Sequence, residues 1–354
     1  MSSNQNEGFS LQCPVPRGTH ATVQMAHGGG GRVMRNLIEG FFLPAFGSDP
    51  AKEPPHDAAV MDVPEGRLAM TTDTFVVSPL FFPGGDIGKL AVYGTVNDLA
   101  MAGARPWALS AAFILEEGLP LETLERIVAS MRDAALEVGV RIVTGDTKVV
   151  DRGKGDGVFI NTAGIGVVAP GVQVAPRRVK PGDAVIVSGD LGRHGMAVMS
   201  VREGLAFEAE LQSDCASLAG LVDTLLEAGA DVHCLRDLTR GGLAAALCEI
   251  ADGAGVGIEL DEASIPVSPP VANACELLGL DPLYVANEGR LVVFLPAEAA
   301  ERTLEIMRSH PAAPQPAVVG TVTETHPGMV QLRTTLGAER IVDLLSGEQM
   351  PRIC

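Results

Sequence analysis

The alternation of apolar and polar positions predicts strands and helices in turn along most of the chain. From Leu121 to Val138, the residues Leu124, Ile127, Val128, Met131 and Ala135 recur at helical spacing and predict one amphipathic helix. Apolar runs predict strands at Arg67–Thr72, Trp107–Leu115, Arg141–Thr144 and Val158–Val168. Val33, Leu37, Ile38 and Phe41 predict a helix just after four consecutive glycines. In the second half, Ala184–Ser188 predicts a strand, and Ser213-Asp214 reads as the cap of a helix burying Leu218, Leu221, Val222 and Leu225. A helix at Gly242–Asp252, strands at Val256–Leu260 and Arg290–Leu295, a helix at Ala297–Ser309, a strand at Ala317–Thr323 and a hairpin at Met329–Leu345 complete the pattern.

This is an α/β pattern, and 354 residues are enough for two domains. Residues 1–25 read as a flexible lead-in and 26–170 as a first domain. Residues 171–182, rich in Pro and basic residues, read as a linker. A second domain follows at 183–345, and 346–354 reads as a mobile polar tail. Aromatics are only 4% of the chain, so Ala, Val, Leu and Ile must build the core. The 44 acidic against 26 basic residues give a net charge of −18, which argues against nucleic acid and anionic membrane as partners. Six cysteines without CxxC spacing argue against a zinc site or disulfide framework. With no secretion signal in the first residues, the expected location is the cytoplasm.

Two nucleotide motifs nearly match and fail. Gly164-Ile-Gly166-Val-Val-Ala169 fits a dinucleotide fingerprint, but Pro170-Gly171 follows where a helix must begin. Gly84 to Leu90 resembles a P-loop, but it is one residue short and has Leu90 in place of the hydroxyl residue. The tetraglycine Gly28 to Gly31 offers backbone N–H groups to an anion, and reads equally well as a plain surface loop. Acidic residues at expected strand ends and turns say more: Asp57, Asp73, Asp98, Asp146 and Asp237. Singly, each is a turn or a cap. Together they would repel one another unless a hard cation such as Mg²⁺ lies between them, and a Mg²⁺-nucleotide fits, with Lys89, Arg32 or Lys148 as counter-charges. Cys354, the last residue, is either an idle thiol or a carrier on a tail that could visit a site.

The motifs AHGGGG (Ala26–Gly31), TTDTFVVSPLFFPGGDIGKLA (Thr71–Ala91), VNDLAMAGARP (Val96–Pro106), FILEEGLP, IVTGDTKVV (Ile142–Val150), RDLTRGGL, VANEGRLVV (Val285–Val293) and the terminal PRIC resemble the hydrogenase maturation family HypE, over nearly the whole chain from Ala26. The wider superfamily contains aminoimidazole ribonucleotide synthetase, selenophosphate synthetase and thiamine phosphate kinase. The resemblance implies a two-domain, PurM-like ATP-binding fold, with an N-terminal domain that dimerises through its sheet and an α+β C-terminal domain. It implies that a carbamoyltransferase, HypF, loads the Cys354 thiol and that ATP drives dehydration of the S-carbamoyl group to a thiocyanate. Cyanide is then passed to iron on a HypC–HypD scaffold. Carried over residue by residue, it implies catalytic roles for Cys354, Glu288 and Lys148. It implies nucleotide contacts from His27, Gly28, Gly29, Gly30, Gly31, Lys89, Asn97, Asp98, Asp146 and Thr147, with Mg²⁺ held among the five aspartates. The lead-in, including Cys13, has no counterpart in this logic.

Two other readings compete. One is a kinase or selenophosphate synthetase acting on a free small molecule, although His27 to Arg32 lacks the Cys that selenophosphate synthetases place at the glycine-rich loop. The other is a non-catalytic scaffold that binds nucleotide and presents its tail.

Overall fold

The structure, a computed structural model, describes residues 20–47, 58–62, 64–204, 211–347, 350 and 352–354. Its first half begins with α1 (Arg32–Leu37), a π-helical turn at Ile38–Phe42 and α2 (Leu43–Ala45), where the pattern predicts one uninterrupted helix. Then follow β1 (Arg67–Phe75), the short hairpin β2 (Phe81–Phe82) and β3 (Gly85–Asp86), α3 (Ile87–Met101) and β4 (Ala104–Glu116). The half closes with α4 (Leu121–Val138), β5 (Arg141–Val150) and β6 (Val158–Val168). The sheet order is β1-β6-β4-β5, with β4 and β5 parallel and the other pairs antiparallel. Since Val158–Val168 is a strand throughout, the fingerprint-like Gly164 to Ala169 opens no helix.

Helices α3 and α4 are packed together, and α3 lies against β1, β6 and β4. The opposite face of this sheet carries Leu68, Met70 and Ile114, exposed at 56%, 75% and 45%. Thirteen of the fifteen residues of α3 are buried, so it has no polar stripe for periodicity to detect. Its start is fixed by Asp86, whose Oδ1 accepts from the backbone N–H groups of Gly88 (2.8 Å) and Lys89 (3.1 Å). The near-P-loop is thus a hairpin followed by a helix cap.

The second half contains β7 (Asp183–Val187), α5 (Arg193–Arg202), α6 (Ala219–Glu227), β8 (Cys234–Asp237), α7 (Gly242–Ala254), β9 (Gly257–Asp261) and α8 (Pro269–Leu278). It ends with β10 (Leu291–Pro296), α9 (Ala300–Arg308), β11 (Ala317–Thr323), β12 (Val330–Arg333) and β13 (Glu339–Val342). The sheet order is β13-β12-β9-β11-β7-β10-β8, antiparallel except for β12 with β9. Strand β7 is buried along its whole length because both faces are covered. Val185, Val187, Val292 and Phe294 belong to a core with α7, while Ala184, Ile186 and Val293 join one that runs on into the first half. Ser213 and Asp214 cap nothing, for α6 starts later, at Ala219.

Asn97 of α3 clasps the two halves. Its Nδ2 donates to Ala216 O (3.1 Å) and its Oδ1 accepts from Leu218 N–H (2.7 Å), so both ends of the amide are engaged. Residues 171–182 are held down as well, since Ala175 N–H donates to His233 O and Arg178 reaches Val232 O and Asp231.

Both ends of the described chain are seated on the fold. Val23 is fully buried and its N–H donates to Leu119 O (2.7 Å), while Thr22 bridges Pro120. At the other end Met350 and Ile353 are only 9% and 4% exposed. The tail's main chain pairs with the segment after β1: Val76 N–H donates to Cys354 O (3.0 Å) and Ser78 N–H to Arg352 O (3.3 Å). Two apolar anchors and this pairing suffice to seat a short segment that is otherwise polar.

Replacing Asn97 with Ala leaves the buried Leu218 N–H unpartnered. The change is expected to cost about 1–3 kcal/mol of stability, seen as a lower melting temperature; unchanged melting would show that the clasp carries no strength.

Candidate active site

The residues singled out in the sequence separate into two groups. The first gathers where the halves meet: Asp73 on β1, Asp98 on α3, Asp237 at the end of β8, Glu288 in the loop before β10, and Cys354. Asp98 sits in helix and Asp73 within a strand, so the expectation that every acid lies at a strand end or turn is corrected. Thr71 Oγ1 donates to Asp98 Oδ2 (2.9 Å), and Thr74 N–H donates to Asp73 Oδ1 (2.8 Å).

Burial raises the proton affinity of every carboxyl in this group. Asp73 and Asp98 are pushed up, chiefly by desolvation. Asp237 is pushed up to about 7 by burial and then by the neighbouring charge of Asp98. Glu288, 3% exposed, is raised well above the carboxylate range by burial and by Asp237, Asp214, Asp73 and Asp98. Its Oε1 is buried without a hydrogen-bond partner among the described residues. Burial and Glu288 also raise the Cys354 thiol, against which Arg240 acts. Arg240 is exposed, and it faces Asp73 and Asp98 as well.

The NEGR segment before β10 is explained residue by residue. Asn287 Oδ1 accepts from Gly192 N–H (2.7 Å), and its Nδ2 donates to Leu238 O (3.0 Å) and Val285 O (3.1 Å), tying three loops together. The Asp214 carboxylate accepts from the N–H groups of Glu288 (3.3 Å) and Gly289 (3.2 Å). A Cβ at Gly289 would lie 1.9 Å from Asp214 O, so the close approach admits only glycine. Arg290 pairs with Asp190 (2.9 Å) beneath this loop. Asp214 therefore fixes the backbone that carries Glu288, a role hidden in the sequence, where Ser213-Asp214 looks like a cap.

The second group lies along β5, at the opposite edge of the N-terminal sheet from β1. Asp146 and Lys148 pair at 2.6 Å and are exposed, and Lys148 holds the Asp146 carboxyl below its usual range. Thr147 between them is buried. The tetraglycine packs on this edge, because a Cβ at Gly28 would lie 2.7 Å from Val149 N. Gly29 to Gly31 face nearly open space, and Gly30 has φ +73°. His27 is buried, its Nδ1 accepting from Gln24 N–H (2.9 Å), and burial lowers its pKa. Within one chain, strands β6 and β4 separate Asp146 and Lys148 from Asp73, a distance of roughly 14 Å at ordinary strand spacing.

The remaining candidates sit elsewhere or are otherwise engaged. Asn97 is spent on the interdomain clasp. Lys89, in the first turn of α3, faces the neighbourhood of Cys215, Glu288, Asp214 and Asp86. Asp57 lies outside the described residues. Among the described residues no three His, Cys, Asp or Glu side chains are placed to hold a metal by themselves. The five described cysteines are free. Among the described residues no helix is long and apolar enough to cross a membrane.

A carboxyl with a raised pKa favours the fold when protonated. Asp237's contribution is fully present below the unfolded carboxylate range and is lost as pH rises through about 7. In nucleotide-free, metal-free protein, Asp237→Asn is accordingly expected to raise the melting temperature more at pH 8 than at pH 5. A difference independent of pH would refute the burial account.

Comparison with known proteins follows the same outline. The AIR synthase related protein N-terminal domain matches residues 55–168, and the AIR synthase related protein C-terminal domain matches residues 180–333. Carbamoyl dehydratase HypE from Azotobacter vinelandii is 55% identical over 335 residues, 95% of this chain and 98% of that protein. A crystal structure of hydrogenase maturation protein HypE in complex with ATP superposes with a TM-score of 0.90 at 48% identity, covering 94% of this chain and all of that one. HypE from a HypE–HypF complex gives 0.77 at 48% identity, over 89% of this chain and 100% of that one. With both halves matched and identity above half across nearly the full length, the chain belongs to the HypE carbamoyl dehydratase family of AIR synthase-related proteins.

Proposed function

We propose that this chain dehydrates a carbamoyl group carried on its own terminal thiol, turning S-carbamoyl-Cys354 into S-cyano-Cys354 as the cyanide donor for iron in NiFe-hydrogenase assembly. The observation that carries this reading is the seating of the last residue within the electrostatic reach of Glu288, a buried carboxyl with one oxygen unpartnered. The family's activity, carbamoyl dehydratase, supports it.

The chemistry sets what the residues must do. An amide oxygen is a poor leaving group, and ATP supplies the phosphoryl group that makes it one. The balance is S–C(=O)–NH₂ plus ATP giving S–C≡N, ADP, phosphate and a proton, so nitrogen must give up both hydrogens. Glu288, dry and of high proton affinity, is suited to take a proton from nitrogen once its own carboxyl is ionised. The raised Asp73, Asp98 and Asp237 repel one another, and a divalent cation among them would relieve that repulsion and lower the pKa of Glu288. Among the described residues too few protein ligands converge to hold the ion alone, which suits Mg²⁺ shared between one or two carboxylates and nucleotide phosphates. The glycine loop, with His27 before it, is assigned to the phosphates together with Lys89 and Thr147, and Asp146 to the cation that the phosphates share.

Lys148, assigned to proton removal by its GDTK motif, stands at the wrong edge of its own sheet. A homodimer formed through the open face bearing Leu68, Met70 and Ile114 answers this, with a two-fold axis parallel to the strands. It sets the β5 edge of each copy over the β1 edge of the other and brings Lys148 across. The family resemblance implies the external partners: HypF to load the sulfur, as a relative's HypE–HypF complex supports, and HypC–HypD to receive cyanide. The free cysteines suit a reducing cytoplasm.

Incubation with carbamoyl donor, HypF and ATP is expected to add one carbamoyl group to Cys354 and then remove the mass of one water, read by mass spectrometry of the C-terminal peptide. Cyanide-ligand formation persisting in Cys354→Ala would sink the reading. Lys148→Ala and Glu288→Gln should each abolish dehydration, whereas subunits of the two re-associated in equal amounts should recover about a quarter of wild-type activity, one intact site in each mixed dimer. Mixtures as inactive as their parents would place Lys148 in its own chain's site.

A further inference from the structure

Helix α5 takes no part in the chemistry above, yet it touches the tail from both of its ends. His194 is fully buried and its Nε2 lies 2.7 Å from Ile353 O. A carbonyl cannot donate, so Nε2 carries the hydrogen. The other ring nitrogen, Nδ1, then accepts from the Ser213 hydroxyl (2.9 Å), whose oxygen in turn accepts from Cys215 N–H (3.0 Å). Every donor in this chain has one acceptor, which fixes His194 as a single neutral tautomer. Phe82 closes edge-on against the ring, 5.3 Å between centroids.

At the far end of α5, Arg202 Nη2 donates to Arg352 O (2.7 Å) and to Ser78 O (2.6 Å). The tail is thus held by successive main-chain carbonyls, from α5 on one side and from Val76 and Ser78 on the other. The receiving surface is itself fixed to the site. Gly192 N–H, at the start of α5, donates to Asn287, the neighbour of Glu288, and Ser213 adjoins Asp214, which holds the Glu288 backbone. Arg352 also pairs with Asp156 and donates to Val76 O (3.3 Å).

We propose that His194 and Arg202 are positioning residues for the dehydration step, gripping the tail by its backbone in the one register that delivers the terminal sulfur to Glu288. Because the grip is on carbonyls, it fixes how far the chain reaches. The inference rests on the dehydratase reading for its rate measurement but not for its accessibility measurement.

The test uses the full-length protein. Maleimide labelling, with Cys354 located by peptide mass mapping, is compared in wild type, His194→Ala, Arg202→Ala and His194→Gln. Each alanine variant should label Cys354 about tenfold faster, the factor expected for losing one strong hydrogen bond to the tail. His194→Gln keeps a donor and should stay near wild type. Single-turnover conversion of carbamoylated protein should slow in the alanine variants, with the ATP concentration for half-maximal rate unchanged. Arg202 is half-exposed, so its variant answers the question should His194→Ala unfold. Equal labelling of all four proteins, or a shift in ATP half-saturation that matches the rate loss, overturns the proposal. A wild type that loads but never loses water sinks the dehydratase reading instead, and the labelling comparison still decides the seat.

Discussion

Much of this fold depends on one helix that is denied water on nearly every side. Helix α3 packs on the N-terminal sheet, on α4 and on the C-terminal half, so each polar side chain it carries must find a protein partner. Asn97 and Asp98 are consecutive, about 100° apart around the helix, and so serve different neighbours. Asn97 closes on the loop at Ala216 and Leu218, and Asp98 meets Thr71 on β1. One turn of helix therefore joins the halves and sets an acid between them.

That acid belongs to a group kept in electrostatic tension. Asp73, Asp98, Asp237 and Glu288 are each driven toward protonation, mainly by burial. Most of the −18 charge is spread over a solvated surface, where water screens it. The few acids withheld from water matter more, for they favour whatever positive charge can enter. The buried Arg290 is already committed to Asp190, and Asp146 to Lys148, so neither pair relieves the group.

Where amphipathic logic applied, the sequence was informative. Helix Leu121–Val138 and the strands Val158–Val168 and Ala317–Thr323 match to the residue, because one side of each meets the core and the other does not. Helix α3 was illegible for the opposite reason: a segment apolar all round has no period. Helix α5 was hidden as well, since its pattern is weak and its neighbours come from distant loops. The Asp motifs and Glu288 were legible as chemistry, but their grouping was not. Strand order sets Asp73 and Lys148 at opposite sheet edges, and no linear spacing encodes that. Asp214 and His194 had no signal at all, because their roles are hydrogen bonds to residues more than seventy positions away.

The way the tail is gripped has a consequence for how it leaves. Among the described residues, the hydrogen bonds that hold 352–354 in place, apart from those of the Arg352 side chain, end on main-chain atoms of the tail and not on the sulfur. These hydrogen bonds do not read the sulfur, which packs instead against the neighbouring core. A group added there acts on the clasp through packing and not through its hydrogen bonds. Leaving gives up one set of main-chain hydrogen bonds, and the carbonyls so freed must be met by water or by another surface.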